Sequence, residues 1–196
     1  MTRTQRGAIF WSTAVVFLSV AVTVPADDPR IGLSTAGFGY IRQGDYREIA
    51  DRGFGGGIAV ETPVAGSPWF RVYTVATVSR SDTPSDSTDM SEIALLAGPS
   101  AEFRLPGDRN PLSIGVESTY GVIFHRATGY WNAAIDGTTW FSSYTATVAG
   151  RFVFDVARHS SIILKPTVAV IADRIRINPD FSGTSAGAEV AYRFMF

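Results

Sequence analysis

The chain predicts an all-β fold, an eight-stranded antiparallel up-and-down transmembrane β-barrel. Three observations carry that expectation. The last ten residues alternate strictly, with Ala188, Val190, Tyr192, Phe194 and Phe196 on one side and Gly187, Glu189, Ala191, Arg193 and Met195 on the other. Period two with one apolar and one polar or small face is the pattern of a strand between lipid and a wet interior. The chain is 45% hydrophobic and 12% aromatic, yet no run of about 18 apolar residues follows Ala26, so a helical span is excluded on length. A barrel strand needs only about 9 to 11 residues and offers lipid every second side chain. Finally, turn-rich stretches divide the chain into eight such segments.

The amino-terminal end supports the same compartment. Arg3 and Arg6 precede the apolar stretch Ala8 to Val24, and Val24-Pro25-Ala26 closes on the small residue that a secretory cleavage site requires. This reads as a signal peptide over residues 1–26, cut after Ala26 and exporting a barrel domain of residues 27–196 through the Sec pathway. A retained helix is the alternative, but Ser12, Thr13, Ser19 and Thr23 interrupt the stretch and no charged stop-transfer segment follows. Residue 27 is Asp rather than Cys, so nothing suggests a lipoprotein anchor. Loss of the two leader arginines moves the net charge from −1 to −3, too weak a balance to imply nucleic acid. The chain has no cysteine, so disulfides cannot stabilise it outside the cytoplasm.

The first strand, Ile31 to Arg42, has an unsettled phase: Ile31 and Leu33 share one face, Phe38 and Tyr40 the other. A bulge near Gly37 or Gly39 would reconcile them. After the polar stretch Gln43 to Arg52, the second strand, Gly53 to Val64, alternates Phe54, Ile58, Val60 and Val64 with glycines and Glu61. Ala65-Gly66-Ser67-Pro68 is a tight turn. The third strand, Trp69 to Arg80, turns Phe70, Val72, Ala76 and Val78 toward lipid, and Ser81 to Met90 is a solvated loop. In the fourth, Ile93, Leu95, Ala97, Ala101, Phe103 and Leu105 oppose Glu92, Gly98, Ser100, Glu102 and Arg104, with a bend or bulge expected at Pro99. Beyond the Gly107 to Pro111 turn, Leu112, Ile114, Val116, Tyr120, Val122 and Phe124 oppose Ser113, Gly115, Glu117, Thr119, Gly121 and His125. A loop containing Tyr130, Trp131 and Asp136-Gly137 leads to strand six, where Tyr144, Ala146, Val148, Phe152 and Phe154 face outward and Thr145, Thr147, Arg151 and Asp155 inward. Ala157 to Ser160 turns the chain into strand seven, Ile162 to Ile177, whose phase is blurred because Ile163, Ile171 and Ile175 share a face with Lys165, Thr167 and Asp173. Asn178 to Ser185 is the last loop.

Eight strands put both termini at one end. The connections after strands two, four and six are short and the others longer, the asymmetry of barrels with short periplasmic turns and long outer loops. A soluble lipocalin-like barrel is the structural rival, but its apolar residues would point inward under a polar surface. Here the polar face carries Gly, Ser, Thr and scattered charges, while the other carries bulky apolar side chains almost without charge. With Tyr192-Arg193-Phe194-Met195-Phe196 at the end, the chain resembles the small eight-stranded bacterial outer-membrane proteins, the OmpX/Ail, OmpA transmembrane-domain and opacity-protein group, from Ile31 to Phe196. The resemblance implies residence in the outer membrane among its lipids. It also makes Tyr192, Phe194 and Phe196 an assembly signal for the outer-membrane assembly machinery, reached with periplasmic chaperones, and an extended terminal strand can pair by edge addition. The same aromatics suit an interfacial girdle.

Function has to come from the site. An eight-stranded barrel is just wide enough for side chains to fill. The inward candidates Glu61, Arg71, Glu92, Glu102, Arg104, Glu117, Arg151, Asp155, Lys165, Glu189 and Arg193 carry both signs, and unpaired buried charge is costly. They are expected to form a lumen ion-pair network, or alternatively the gate of a narrow channel for ions or small solutes. A lipid-modifying enzyme is a third reading. The lipid A deacylases use a His-x-Ser-Asn segment, but His125-Arg126-Ala127-Thr128 lacks the serine, and His159-Ser160-Ser161 lies in a turn, so no catalytic residue is expected. His125 reads as a satisfied lumen or rim residue. No cofactor or metal is expected: Asp82, Asp86 and Asp89 lack calcium-loop spacing, and Gly53, Gly55, Gly56 and Gly57 lack the Lys-Ser/Thr of a phosphate loop and read as close strand packing. Among loop aromatics, Trp140 and Phe141 read as outer girdle and Trp69 as inner girdle, while Tyr130 and Trp131 are the expected contacts for an extracellular ligand. The expected role is therefore structural or adhesin-like, through the outer loops.

Overall fold

The computed structural model describes residues 30–44, 47, 50–64, 67–82, 88–107, 110–129, 138–173 and 182–196. They form a closed barrel in which each strand pairs antiparallel with its sequence neighbours and the last with the first. The strands are β1 (Gly32–Gln43), β2 (Arg52–Val64), β3 (Ser67–Asp82), β4 (Thr88–Arg104), β5 (Leu112–Gly129), β6 (Thr138–Ala157), β7 (Ser160–Asp173) and β8 (Gly183–Met195). The leader and its cleavage site lie outside the described residues, as do Tyr130, Trp131 and the end of the expected seventh strand.

The barrel wears its apolar side chains outside. Phe54, Ile58, Val78, Tyr120, Val148, Val168 and Val190 are all more than half exposed. So continuous an apolar belt would drive association in water, whereas lipid covers it at no cost. Alternation turns Gly, Ser, Thr and charged residues inward, and three small apolar clusters add to the filling. Ala59, Tyr73 and Val75 form one, Ala94, Ile123 and Ile171 a second, and Val153, Ile163 and Ala191 a third.

Several expectations need correction. β1 holds one continuous register against both β2 and β8, with no bulge at Gly37 or Gly39. Phe38 and Tyr40 face the lumen, lying opposite Gly55 and Gly53 across the β1–β2 ladder. A methyl group on Gly55 would fall 2.7 Å from the Phe38 ring, and one on Gly53 2.4 Å from Tyr40 Oη. The β2 glycines are thus the space that two inward aromatics fill, which is how close packing accounts for them. β7 is equally regular: Ile163 and Ile171 belong inside, as core. At Gly98-Pro99 the β4–β5 register resumes unchanged, and the register shifts sit instead at Pro63/Val64 and Asp155/Ala157.

The connections on the terminal side are residues 65–66, 105–111 and 158–159; those on the other are 44–51, 83–87, 130–137 and 174–182. The expected asymmetry is partly absorbed by strand extension. β3 and β4 continue so far that the Ser81 to Met90 loop contracts to 83–87, and β5 and β6 reach Gly129 and Thr138, well past the expected ends.

Candidate functional site in the barrel lumen

In a ring of eight strands, each strand faces the one four places away, so a bond between such strands crosses the full diameter. Three do so here. From β6, Arg151 Nη2 donates to Glu61 Oε1 on β2 at 2.7 Å. From β8, Arg193 forms a fork on Glu102 of β4, at 2.7 and 3.1 Å. From β7, Lys165 Nζ donates to Tyr73 Oη on β3 at 2.8 Å and lies 4.4 Å from the centre of that ring.

Shorter links join the bridges into one network. Arg151 Nη1 donates to Glu117 Oε2 at 3.2 Å, and Arg193 Nη1 to Glu61 Oε2 at 3.2 Å. Lys165 Nζ stands 2.7 Å from Glu189 Oε1, an ionic contact without hydrogen-bond geometry, and 3.6 Å from Glu117 Oε1. Glu61 and Arg151 are 0% and 1% exposed. Charges so dry repay their desolvation only when paired and hydrogen-bonded, and here each has several partners.

Of the residues expected in the lumen network, Glu61, Glu102, Glu117, Arg151, Lys165, Glu189 and Arg193 are brought together. Arg71, Arg104 and Asp155 are not. Arg71 donates to the Arg30 carbonyl at 3.1 Å, Arg104 donates to the Asn110 carbonyl, and Asp155 accepts from Ser161 Oγ at 2.8 Å. All three line a mouth cavity of about 500 Å³ at the end that holds the termini.

A second cluster lies toward the loop end. Arg42 Nη2 and Tyr40 Oη donate to Glu92 Oε2, the latter at 2.8 Å, and Ser79 Oγ donates to the same oxygen at 3.2 Å. Glu92 Oε1 lies 2.8 Å from His125 Nδ1, and His125 Nε2 lies 3.1 Å from Ser143 Oγ. Phe141 stacks on His125 with ring centres 4.6 Å apart. Phe141 is therefore a lumen residue and not girdle, whereas Trp140, 59% exposed, points outward. Arg42 was missed because the unsettled phase of β1 hid its direction; the regular register of β1 opposite β2 was the signal that places it.

Glu92, His125 and Ser143 stand in the order carboxylate, imidazole, hydroxyl. His125 and Ser143 are both fully buried. Among the described residues no three groups are placed to hold a metal ion; Asp82 and Asp89 instead meet Arg52 and Arg80, at 3.0 and 2.9 Å. Between the two polar layers lies a cavity of about 140 Å³, walled by Phe38, Leu96, Ile123 and several threonines.

A membrane-facing exterior around a lumen filled with paired charge defines the class, and the fold is that of the small eight-stranded outer-membrane barrels. Among solved structures, the chain is similar to Neisserial surface protein A, with a TM-score of 0.65 at 10% identity over 85% of this chain and 97% of that one. It is also similar to Ail, the attachment invasion locus protein of Yersinia pestis, with a TM-score of 0.53 at 8% identity over 86% and 99%. The N-terminal β-barrel domain of Pseudomonas aeruginosa OprF gives 0.51 at 14% identity over 83% and 97%. Neither a family model nor a curated protein matches the sequence. At these identities the likeness is one of fold alone.

Proposed function

We propose that the protein is an integral outer-membrane barrel whose lumen is closed and whose role is structural or one of surface interaction through its loops. The supporting observation is the set of diametric bridges from Arg151, Arg193 and Lys165, which cross the lumen from wall to wall. A continuous file of water would have to separate several buried, paired charges. The loop residues Tyr130 and Trp131 are proposed as the contact for an extracellular ligand, and the outward-facing Tyr192, Phe194 and Phe196 as the assembly signal. The test is conductance across a planar bilayer containing the folded barrel. Silence is the expected result, and reproducible single-channel steps would overturn the closed reading.

A second reading, a gated narrow channel, is favoured by one feature: cavities of about 140 and 500 Å³ lie on the two sides of the charged layer. That layer would then be the gate. Under this reading conductance steps appear and change when Arg151 or Arg193 loses its charge.

A further inference from the structure

We propose that the mouth at the terminal end is a binding site for multivalent oxyanions, the shared chemistry of phosphates and clustered carboxylates. Among the described residues, its cavity of about 500 Å³ is lined by five arginines and two carboxylates. Both carboxylates are already engaged, Glu102 by the fork from Arg193 and Asp155 by Ser161 and, at 3.9 Å, by Arg104. Two of the arginines form no direct ion pair among the described residues: Arg71 feels Glu61 and Glu102 only at longer range and is bonded to the Arg30 carbonyl, and Arg158 has no carboxylate partner there.

A second observation points the same way. Arg193, 4% exposed and lining this cavity, leaves its Nε without an acceptor among the described residues. Guanidinium groups from β3, the β6–β7 turn and β8 therefore converge on one space, where those of Arg71 and Arg158 keep donors that no carboxylate among the described residues takes, while Arg193 is held by Glu61 and Glu102. The low-dielectric barrel wall beside them strengthens the field in the cavity. The wall also carries a reporter, since Trp69 lines the cavity and stacks on Phe103 with ring centres 5.7 Å apart. The proposal rests on the membrane-barrel reading only for the aqueous side that the mouth meets. Its failure would leave the conductance result untouched.

The test is titration of the purified barrel in non-ionic detergent at low salt with pyrophosphate and with tricarballylate, reading Trp69 fluorescence. A saturable change is expected that W69F abolishes, with half-saturation rising about tenfold or more in R71Q/R158Q, as loss of charge-assisted hydrogen bonds requires. Heat-dependent gel mobility verifies that each variant is folded. No saturable change in the wild type, or the same half-saturation in R71Q/R158Q, would overturn the site. So would a response seen only in D27N/D28N, because the arginines would then serve the chain's own carboxylates just before Arg30. Repeating the titration in nanodiscs separates the sources: a pyrophosphate response lost in anionic but kept in zwitterionic lipid identifies a lipid headgroup phosphate. A response kept in both identifies a soluble anion.

Discussion

Arg151 shows how much one side chain holds in this barrel. It is 1% exposed and touches Glu61, Glu117 and Glu102 at 2.7, 3.2 and 3.7 Å. Arg151→Ala strands a fully buried Glu61 with half its cationic surroundings removed, so a loss of about 3–5 kcal/mol is expected from urea unfolding of the refolded protein. The paired change Glu61→Met with Arg151→Met removes both charges, and its cost should fall well below that of the single variant. Ser143 makes the contrasting case. Its hydroxyl is within reach of His125 but buried, so a fluorophosphonate probe is expected to leave the folded barrel unlabelled; stoichiometric labelling lost in Ser143→Ala would show a working nucleophile.

Strands set how closely neighbouring backbones approach, and the glycines show where that matters. A methyl group at Gly121 would fall 1.9 Å from the Leu95 carbonyl oxygen across the β4–β5 ladder, whereas one at Gly37 would meet nothing within 4 Å. Gly121→Ala should therefore cost on the order of 1–3 kcal/mol through forced separation of the pair, and Gly37→Ala no more than about 0.5 kcal/mol. Denaturant midpoints of the two variants, measured side by side, check the contrast. Just past β8, Phe196 is 64% exposed and packs on Phe194 with ring centres 5.0 Å apart. Its truncation removes outward apolar area and little core. Phe196→Ala is accordingly expected to slow assembly into membranes while moving the unfolding midpoint of the assembled barrel little; a large midpoint shift at an unchanged assembly rate would assign Phe196 to stability instead.

The molecule is a sheet closed on itself, so its stability divides between a lipid-facing exterior and a polar, paired interior. Salt distinguishes the two kinds of ion pair. The exposed pairs Arg47–Asp51 and Arg52–Asp82 are screened by added salt, but the bridge from Arg151 to Glu61 has almost no solvent around it. The penalty of Arg151→Ala should hold constant between low and high salt. A penalty that shrinks with salt would mean that water reaches the network, which would favour the channel reading over the closed one.

Alternation alone revealed the strand count, the closure of the fold and which face of β4, β5, β6 and β8 meets lipid, because a period of two survives any uncertainty about partners. It also placed Glu61, Glu102, Glu117, Arg151, Lys165, Glu189 and Arg193 inside. It left the phase of β1 and β7 blurred, because large apolar residues point inward there: Phe38 and Tyr40 fit only because Gly55 and Gly53 lie opposite on another strand. Pairing within the lumen was beyond its reach for the same reason. Arg151 meets Glu61 across the barrel at a separation of 90 residues, and such a contact depends on register and ring closure together. Charge sign and face are local properties of the chain; which charges meet, which of them stay at the mouth and which spaces remain between them are settled only once eight strands have closed into a ring.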